Sequence, residues 1–308
     1  MTGTAIFVTG TLADSAKALL SAYEVLESDA SDQALSRCEV LMAWPNRIEP
    51  GLLSKMSSLR MVQAMSAGVD ALDFRDIPPE VKVFSNAGAY TRPVAEHAWG
   101  LLLGVAKGVH VRDARVVPRR LEGKTLLVLG CGAIGSEVAK LSRSLGMRTV
   151  GVSRSFKESE RFDERHDLSG LGEAVEVADA IVIALPLSNL TRGLVTHGVL
   201  TRARESVILV NIGRGEIVEE AGLMRWLRER PESRYATDVF WMRDGRESFD
   251  TEAWGLQNFA GTRHISGLPL GEGLDGPMVA AAKNVSMFLQ TGTASNRIDP
   301  VEYRPANL

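Results

Sequence analysis

Apolar runs of strand length recur along the chain, and stretches with helical spacing of apolar residues separate them. These runs cover residues 5–8, 40–43, 61–64 and 81–84, and after residue 122 they cover 125–129, 149–152, 180–184, 206–211 and 235–238. Continuous apolar runs are typical of parallel strands that helices cover on both faces. The pattern therefore predicts a β/α/β arrangement in both parts of the chain.

Two of the separating stretches predict helices. Residues 15–27 have helical spacing, and residues 94–109 form a longer apolar stretch that begins just after Pro93, a residue suited to a first helical turn. With 308 residues, the chain is too long for one ordinary core and suits two domains. We therefore expect an α/β protein with two doubly wound parallel-sheet domains, Rossmann-like or flavodoxin-like, and a cleft between them.

Composition and charge exclude several classes of protein. Lysine and arginine (35) fall short of aspartate and glutamate (38), so we expect no basic face for nucleic acid. No apolar stretch reaches the roughly 18 residues of a membrane span, and the first residues do not resemble a signal peptide. The two cysteines, Cys38 and Cys131, cannot form a disulfide framework. We expect a cytoplasmic protein without nucleic-acid or membrane partners and without a metal site.

The strand at 125–129 runs into a glycine-rich turn and then into an amphipathic helix. The turn has the sequence Gly130-Cys131-Gly132-Ala133-Ile134-Gly135. The first glycine permits a tight turn, the second lets the backbone approach a pyrophosphate, and the third allows close packing of helix on strand. The anion would bind at the helix N-terminus, where free N–H groups and the helix dipole favour it. Together with the next strand, the turn predicts a dinucleotide site.

The residues after the second strand indicate which dinucleotide binds. An acidic residue there would bind the ribose 2′-hydroxyl of NAD, but the chain has Ser153-Arg154-Ser155. A guanidinium between two hydroxyls suits a 2′-phosphate. NADP is therefore the preferred prediction and NAD the alternative. The other interpretation is that Arg154 is a solvated loop arginine.

Five further groups of residues occur in a fixed order along most of the chain. They are Ser66-Ala67-Gly68-Val69-Asp70; Val94-Ala95-Glu96-His97; Ala178-Asp179 through Leu185-Pro186-Leu187 to Thr191-Arg192-Gly193-Leu194; Asn211-Ile212-Gly213-Arg214-Gly215 with Asp238-Val239-Phe240; and Arg263-His264-Ile265-Ser266-Gly267. With the glycine turn, they resemble the D-isomer-specific 2-hydroxyacid dehydrogenase family, which includes glyoxylate/hydroxypyruvate reductases and phosphoglycerate dehydrogenases. The resemblance implies a Rossmann domain at 94–271, inserted into a substrate domain made of 1–93 and 272–308. The two crossings, near Pro93 and at 271–276, would form a hinge.

The resemblance assigns catalysis to Arg214 and His264, and both residue types suit it. A planar guanidinium can bind the carboxylate and carbonyl oxygens of a keto acid together, and it stays cationic at physiological pH. An imidazole can deliver a proton near neutral pH and recover it. Besides the glycine turn, including Ala133 and Ile134, the expected cofactor contacts are Ser153, Arg154, Ser155, Leu185, Pro186, Thr191, Ile212, Gly213, Asp238 and Gly267. For Asp238, the alternative is that it caps a turn at a strand end.

The sequence departs from the family pattern at one catalytic position. The family usually has a glutamate five residues beyond the aspartate that corresponds to Asp238, and this glutamate pairs with the catalytic histidine. This chain has Arg243 at that position. An arginine would disfavour a protonated histidine. Glu247 and Glu252 lie in a loop that is slightly longer than usual, and we favour Glu247 as the replacement. The alternative is that both glutamates are solvated loop charges.

The resemblance also assigns the backbone amides of Ala67 and Gly68 to the substrate carboxylate, since glycine lets the backbone approach closely. Trp44, Arg47, Tyr90 and the further aromatic residue Trp241 lie in loops expected to face the cleft, and we treat them as specificity candidates. Aromatic residues are, however, more often packing residues.

These observations predict an NAD(P)-dependent oxidoreductase that interconverts a small 2-keto acid and a D-2-hydroxy acid. The apolar helix at 94–109 offers more apolar surface than one core needs and the family is generally dimeric, so we expect a homodimer. Two alternatives stay open. One is a nucleotide-sensing, corepressor-like binding protein, which the arginine at the glutamate position favours. The other is a formate- or phosphonate-type dehydrogenase.

Overall fold

The computed structural model describes residues 4–111, 117–267 and 275–304. The chain divides into two compact units, one formed by Met1–Tyr90 with Leu268–Leu308 and the other by Thr91–Gly267. The second unit is thus inserted into the first, and the crossing after residue 90 lies close to the boundary expected after residue 93. The boundary expected after residue 271 and most of the hinge expected at 271–276 lie outside the described residues.

The first unit builds a parallel sheet from the predicted strand runs. Before the crossing it contains β1 (Ala5–Val8), α1 (Asp14–Leu19), β2 (Glu24–Glu27), α2 (Asp32–Ser36), β3 (Cys38–Ala43), β4 (Met61–Ala64) and β5 (Lys82–Phe84). Neighbouring strands are parallel in the order β2-β1-β3-β4-β5. β1 and β4 are buried at every position, which explains their mostly apolar sequences; the one polar residue, Gln63 of β4, donates to the carbonyl of Ala64.

The helix predicted at 15–27 is wrong in its second half. α1 ends at Leu19, and the N–H of Leu20 closes it on the carbonyl of Lys17. Residues 24–27 instead form β2, whose Glu24 pairs with Ala5 of β1 in parallel register. β2 lies at the sheet edge with partly exposed side chains, so no apolar run marks it. Pairing with a distant strand, rather than local spacing, determines this segment.

The second unit holds a larger parallel sheet. It contains α3 (Thr91–Lys107), β6 (Thr125–Leu129), α4 (Ala133–Ser144), β7 (Arg148–Val152), β8 (Glu164–His166), α5 (Leu171–Val177), β9 (Ala180–Ile183), α6 (His197–Arg202), β10 (Ile208–Asn211), α7 (Glu220–Glu229), β11 (Arg234–Thr237), β12 (Met242–Arg243), β13 (Arg246–Glu247) and β14 (Phe259–Gly261). The parallel sheet has the order β14-β11-β10-β9-β6-β7-β8, while β12 and β13 form a separate antiparallel pair. In such open sheets, ligands bind beyond the carboxyl ends of the strands.

After the second unit, the chain adds α8 (Asp275–Thr291) and β15 (Arg297–Ile298) to the first unit. β15 pairs antiparallel with β5 and becomes the sixth strand of that sheet. Short 3-10 helices lie at Pro45–Arg47, Leu53–Lys55, Ala87–Tyr90, Ser159–Arg161, Leu168–Gly170, Gly215–Ile217, Glu252–Gly255 and Pro300–Glu302.

α3 packs within the second unit against α4, β10 and β11. Its apolar side chains, which suggested a dimer interface, are largely buried there, and Trp99 donates to the carbonyl of Val138 on α4. Leu103 of α3 remains exposed, at 38%, as does Val109, two residues beyond the end of the helix, at 81%. The homodimer stays a prediction. Within the described ranges, no helix combines the length and apolar character needed to cross a bilayer.

Candidate active site

The glycine turn after β6 is fixed by two close approaches. Gly130 has φ of 96°, and a Cβ there would lie 2.7 Å from the backbone of Ala184. A Cβ at Gly135, in the first turn of α4, would lie 1.9 Å from the carbonyl oxygen of Gly130. A side chain cannot fit at either position without moving backbone atoms. The sequence motif therefore corresponds to a steric requirement of the strand, turn and helix.

The middle glycine of the turn has open space around it. Gly132 is the N-cap of α4, no described side chain caps the helix there, and a Cβ would meet no described atom within 4 Å. The uncapped N–H groups of the first turn, around Ala133 and Ile134, can therefore bind an anion. This open, uncapped helix end fits the pyrophosphate of a dinucleotide.

The segment after β7 carries two cations beside the turn. Ser153 is anchored by its N–H to the carbonyl of His166 (3.0 Å), while Arg154 and Ser155 are exposed. The N–H of Lys157 donates to the carbonyl of Cys131 (3.1 Å), so this lysine lies next to the turn. Sequence reasoning missed Lys157, although its place three residues beyond Arg154 was visible in the sequence.

The loop after β9 lies on the other side of the turn, because the N–H of Ala184 donates to the carbonyl of Leu129 (2.7 Å). Leu185 is buried and Pro186 exposed. The hydroxyl of Thr191 donates to the carbonyl of Pro186 (2.6 Å) and accepts from the N–H of Ser188 (2.9 Å). Thr191 therefore shapes this loop, and its contact with the cofactor stays a prediction.

Arg214 lies directly beyond the carboxyl end of β10. The amide of the fully buried Asn211 donates to the carbonyl of Arg214 (2.9 Å) and accepts from the N–H of Gly213 (3.0 Å). A Cβ at Gly215 would lie 2.3 Å from the backbone of Phe240, so the turn is packed closely on the segment after β11. These contacts fix the backbone at Arg214. Ile212, in the same turn, is buried.

Asp238, after β11, organises the loop that follows β14. Its fully buried carboxylate accepts from the Thr262 hydroxyl (2.6 Å) and from the N–H groups of Ile265 and Ser266 (both 2.9 Å). Burial alone would raise the pKa of Asp238, but these donors outweigh it and hold the pKa below its ordinary value. The contacts are those of an aspartate that caps a turn, which was the alternative interpretation. A contact with the cofactor stays a prediction.

The same network includes His97 on α3. Because the Thr262 hydroxyl gives its only proton to Asp238, it must accept from His97, whose Nε2 lies 2.7 Å away. His97 therefore supports the loop through Thr262.

His264 is held by this loop in an unusual backbone conformation. Its N–H donates to the carbonyl of Asp238 (2.8 Å), and its φ of 52° lies in the left-handed region that side chains rarely adopt. Nδ1 of the ring lies 2.6 Å from Oε2 of Glu247. Because a carboxylate only accepts, Nδ1 carries the proton in this contact, which does not involve Nε2.

Glu247 belongs to β13 and is itself fixed, since its Oε1 accepts the N–H of Phe240 (2.6 Å). The other candidate, Glu252, is exposed and pairs with Arg228. Arg243 pairs with Glu220 at the start of α7 (2.7 Å). Of the two glutamates considered from the sequence, the structure therefore brings Glu247 to His264.

Arg214, Asp238 and His264 follow β10, β11 and β14, which are neighbours in one parallel sheet. Parallel strands end at the same edge, so one edge carries a guanidinium, a buried carboxylate and an imidazole–carboxylate pair. Gly267, the last cofactor residue predicted in this loop, is half-buried beside Ser266.

Apart from Arg214 and Trp241, the residues predicted to bind substrate lie in the first unit. Ala67 and Gly68 are half-buried in the loop after β4, where the Ser66 hydroxyl donates to the carbonyl of Gly68 (2.6 Å). Tyr90 is buried and its hydroxyl donates to the carbonyl of Met65 (2.8 Å), so it supports this loop as a packing residue. Trp44 packs on the core of the unit.

Two further specificity candidates differ in their surroundings. Arg47 is exposed and lines a cavity of about 360 Å³ beyond the ends of β1 and β2, so it remains a candidate. Trp241 is buried and donates to the carbonyl of Val218 (2.8 Å), which makes it a packing residue.

An inserted doubly wound unit with a dinucleotide cradle, and an arginine and a histidine–glutamate pair at its sheet edge, defines the class of a nicotinamide-dependent dehydrogenase. Residues 81–266, more than half of the chain, match the family model described as D-isomer specific 2-hydroxyacid dehydrogenase, NAD binding domain. The chain therefore belongs to the D-isomer-specific 2-hydroxyacid dehydrogenase family, as the resemblance indicated.

Individual relatives agree with this family. A glyoxylate reductase of Aeropyrum pernix is 33% identical over 213 residues, which cover 63% of this chain and 64% of the reductase. A D-3-phosphoglycerate dehydrogenase of Bacillus subtilis is 31% identical over 227 residues, 69% of this chain and 43% of that protein. The chain thus spans less than two thirds of the length of both. A solved structure from Pyrobaculum aerophilum, provisionally named a formate dehydrogenase, is 32% identical with a TM-score of 0.85, covering 97% of this chain and 99% of that one.

Proposed function

We propose that this chain is a nicotinamide-dependent oxidoreductase that reduces a small 2-keto acid to a D-2-hydroxy acid, or runs the reverse reaction. The observation that carries the proposal is the contact between His264 and Glu247, at the sheet edge that also carries Arg214. Reduction of a keto acid needs a cation for two oxygens and a proton donor, and this edge offers both. The names of the glyoxylate reductase and the phosphoglycerate dehydrogenase relatives support the same substrate class.

Each residue has a separate task in this proposal. The Arg214 guanidinium binds the carboxylate and polarises the carbonyl of the keto acid. Nε2 of His264 donates a proton to the carbonyl oxygen, while Glu247 stabilises the imidazolium and fixes its tautomer. A bound nicotinamide would supply the hydride.

NADP is the preferred cofactor in this proposal. The segment from Ser153 to Lys157 lies next to the glycine turn through the N–H of Lys157, and it carries two cations, Arg154 and Lys157. It has no carboxylate to bind the 2′-hydroxyl of NAD. Arg154→Ala should therefore raise the KM for NADPH much more than the KM for NADH. Arg165→Ala, an exposed arginine on neighbouring β8, is the matched control. Equal effects of Arg154→Ala on the KM values of both cofactors would contradict a contact between Arg154 and the 2′-phosphate of NADP.

The activity itself is tested by following NADPH and NADH consumption with glyoxylate, hydroxypyruvate and larger 2-keto acids. We expect turnover with at least one of them and a D-configured product. Tight cofactor binding without any turnover would favour the nucleotide-sensing binding protein instead. Reduction of NAD by formate or phosphite, with no keto acid reduced, would favour the formate- or phosphonate-type dehydrogenase that the name of the Pyrobaculum neighbour suggests.

A further inference from the structure

Glu247 reaches His264 from a small hairpin that stands apart from the large sheet. β12 and β13 pair antiparallel, with Met242 opposite Glu247 and Arg243 opposite Arg246. The connecting residues Asp244 and Gly245 both have positive φ, 52° and 75°. Two consecutive positive φ values are typical of the tight hairpin turn whose twist matches the strands.

The register of this hairpin directs two side chains to opposite faces. Successive residues of a strand point to alternate faces, and directly opposed residues share one. Glu247 therefore shares a face with Met242, and Arg243 points away from that face. The contacts agree, because Glu247 binds His264 and Phe240 on one side while Arg243 binds Glu220 on the other.

An isolated two-stranded hairpin is marginally stable in water, so its position depends on contacts with the rest of the unit. The N–H of Ser248 donates to the carbonyl of Trp241 (2.9 Å) and closes the base. The N–H of Met242 donates to the carboxylate of Glu216 (3.1 Å). Nη2 of Arg243 donates to Oε1 of Glu220 (2.7 Å) and connects the hairpin to the first residue of α7.

We propose that Arg243 is a positioning residue, which holds the hairpin on α7 through Glu220 and so keeps Glu247 against Nδ1 of His264. Arg243 stands where the family resemblance places the glutamate. In this chain it anchors the hairpin, and the second strand of that hairpin supplies the glutamate, Glu247. The proposal rests on the proposed function, in which His264 transfers the proton. The side chains of Arg243 and Glu220 are 48% and 30% exposed. Loss of their ion pair should therefore weaken the docking of the hairpin on α7 about twofold to fivefold, as for surface ion pairs.

The test compares Arg243→Gln and Glu220→Gln with their double variant, and uses Arg246→Gln as the matched control. Arg246 lies on the same hairpin, and no described acidic side chain lies within ion-pair distance of it. The readout is the rate at which the Nδ1 proton of His264 exchanges with water, followed by NMR in the cofactor-free protein, alongside the pH dependence of kcat/KM. A merely structural contact would lower the melting temperature and leave that exchange rate unmoved.

We expect both single variants to raise this exchange rate about twofold to fivefold, because loss of a surface ion pair releases the hairpin by that factor. The double variant should add little to either, Arg243→Lys should restore most of the protection, and Arg246→Gln should change nothing. An unchanged exchange rate in Arg243→Gln, or an equal increase in Arg246→Gln, would overturn the proposal. The exchange measurement needs no turnover, so failure to find a keto acid substrate would count against the proposed function without deciding this test.

Discussion

Nδ1 of His264 lies 2.6 Å from Oε2 of Glu247, although seventeen positions of sequence separate the two residues. The other oxygen of the carboxylate binds the N–H of Phe240, so its orientation is fixed before any substrate binds. The glutamate side chain is 19% exposed and the histidine 43%. A partly shielded carboxylate and a more accessible ring suit a proton donor that must reach a ligand and still keep its partner.

Replacement of Glu247 by glutamine should damage proton transfer while leaving the fold intact. Glutamine keeps the shape of the side chain but removes the charge that favours an imidazolium. We expect kcat/KM for keto acid reduction to fall by roughly 100-fold, the lower end of what general acid catalysis contributes.

Glu252→Gln is the matched control for this variant. Glu252 is exposed and bound to Arg228, so its change should leave kcat/KM within about twofold of the original protein, as for a surface ion pair. If Glu252→Gln lost activity and Glu247→Gln kept it, the assignment of the two glutamates would have to be reversed.

Gly132→Ala should lower the affinity for the cofactor, whereas Gly135→Ala should lower the stability of the fold. Gly132 has φ of −74° and open space where a Cβ would lie, so the variant should unfold at the same urea concentration. Its methyl group would occupy space that the pyrophosphate needs, and the Kd for NADPH should rise at least tenfold, the factor that corresponds to about 1.4 kcal/mol. Calorimetry or fluorescence titration measures the Kd.

In Gly135→Ala the methyl group would lie 1.9 Å from the carbonyl oxygen of Gly130, which only a backbone shift can relieve. Overpacking of this kind costs about 1 to 3 kcal/mol, so the urea midpoint should fall. Unchanged NADPH affinity in Gly132→Ala, or unchanged stability in Gly135→Ala, would contradict the separate tasks of the two glycines.

The cofactor half of the site could be predicted because its requirements are local. The chain can form this strand, turn and helix only with glycine at 130 and 135, so the residues themselves reveal the contact. The edge strand at 24–27 and the packing roles of Tyr90 and Trp241 depend on neighbours distant in sequence. Nothing in the local pattern distinguishes a buried aromatic residue from one that lines a cleft.

The hairpin shows an intermediate case. An Asp-Gly pair is a strong hairpin signal, and Asp244-Gly245 was visible in the sequence. Its strands are two residues long, too short for an alternating pattern, so the sequence favoured Glu247 over Glu252 without a register to justify the choice. In the structure, the register of β12 and β13 directs Glu247 to the face of the hairpin that meets His264.

Both cysteines should be unreactive in the native protein. Burial raises the pKa of the Cys38 thiol and, more strongly, that of Cys131, and neither side chain is accessible. A thiol must ionise and meet the reagent before it reacts. Labelling with a thiol reagent at about pH 8 should therefore be slow, with rates that follow unfolding, and should reach two thiols per chain in concentrated urea. Rapid labelling of Cys131 in native protein would mean that the glycine turn opens readily.

Asp238→Asn should destabilise the protein in a way that depends on pH. An asparagine keeps one acceptor oxygen but turns an N–H donor toward the N–H of Ser266, so at pH 7 we expect a loss of about 3 kcal/mol of unfolding free energy, as for a hydrogen-bonded charge. Because the folded-state pKa of Asp238 lies below its ordinary value, the ionised carboxylate contributes stability above the unfolded-state pKa of about 3.9. That contribution is lost as the pH falls through the folded-state pKa.

The original protein should therefore lose stability more steeply than Asp238→Asn on acidification below about pH 4, and the difference between them should shrink. Urea midpoints measured from neutral to acidic pH test this, with the exposed Asp250→Asn as control. A difference that stays constant with pH would mean that the packing of the side chain, rather than its charge, holds the loop. In that case the loop of His264 would owe its left-handed backbone to contacts other than the Asp238 carboxylate, and catalysis by the variant should keep the pH dependence of the original protein.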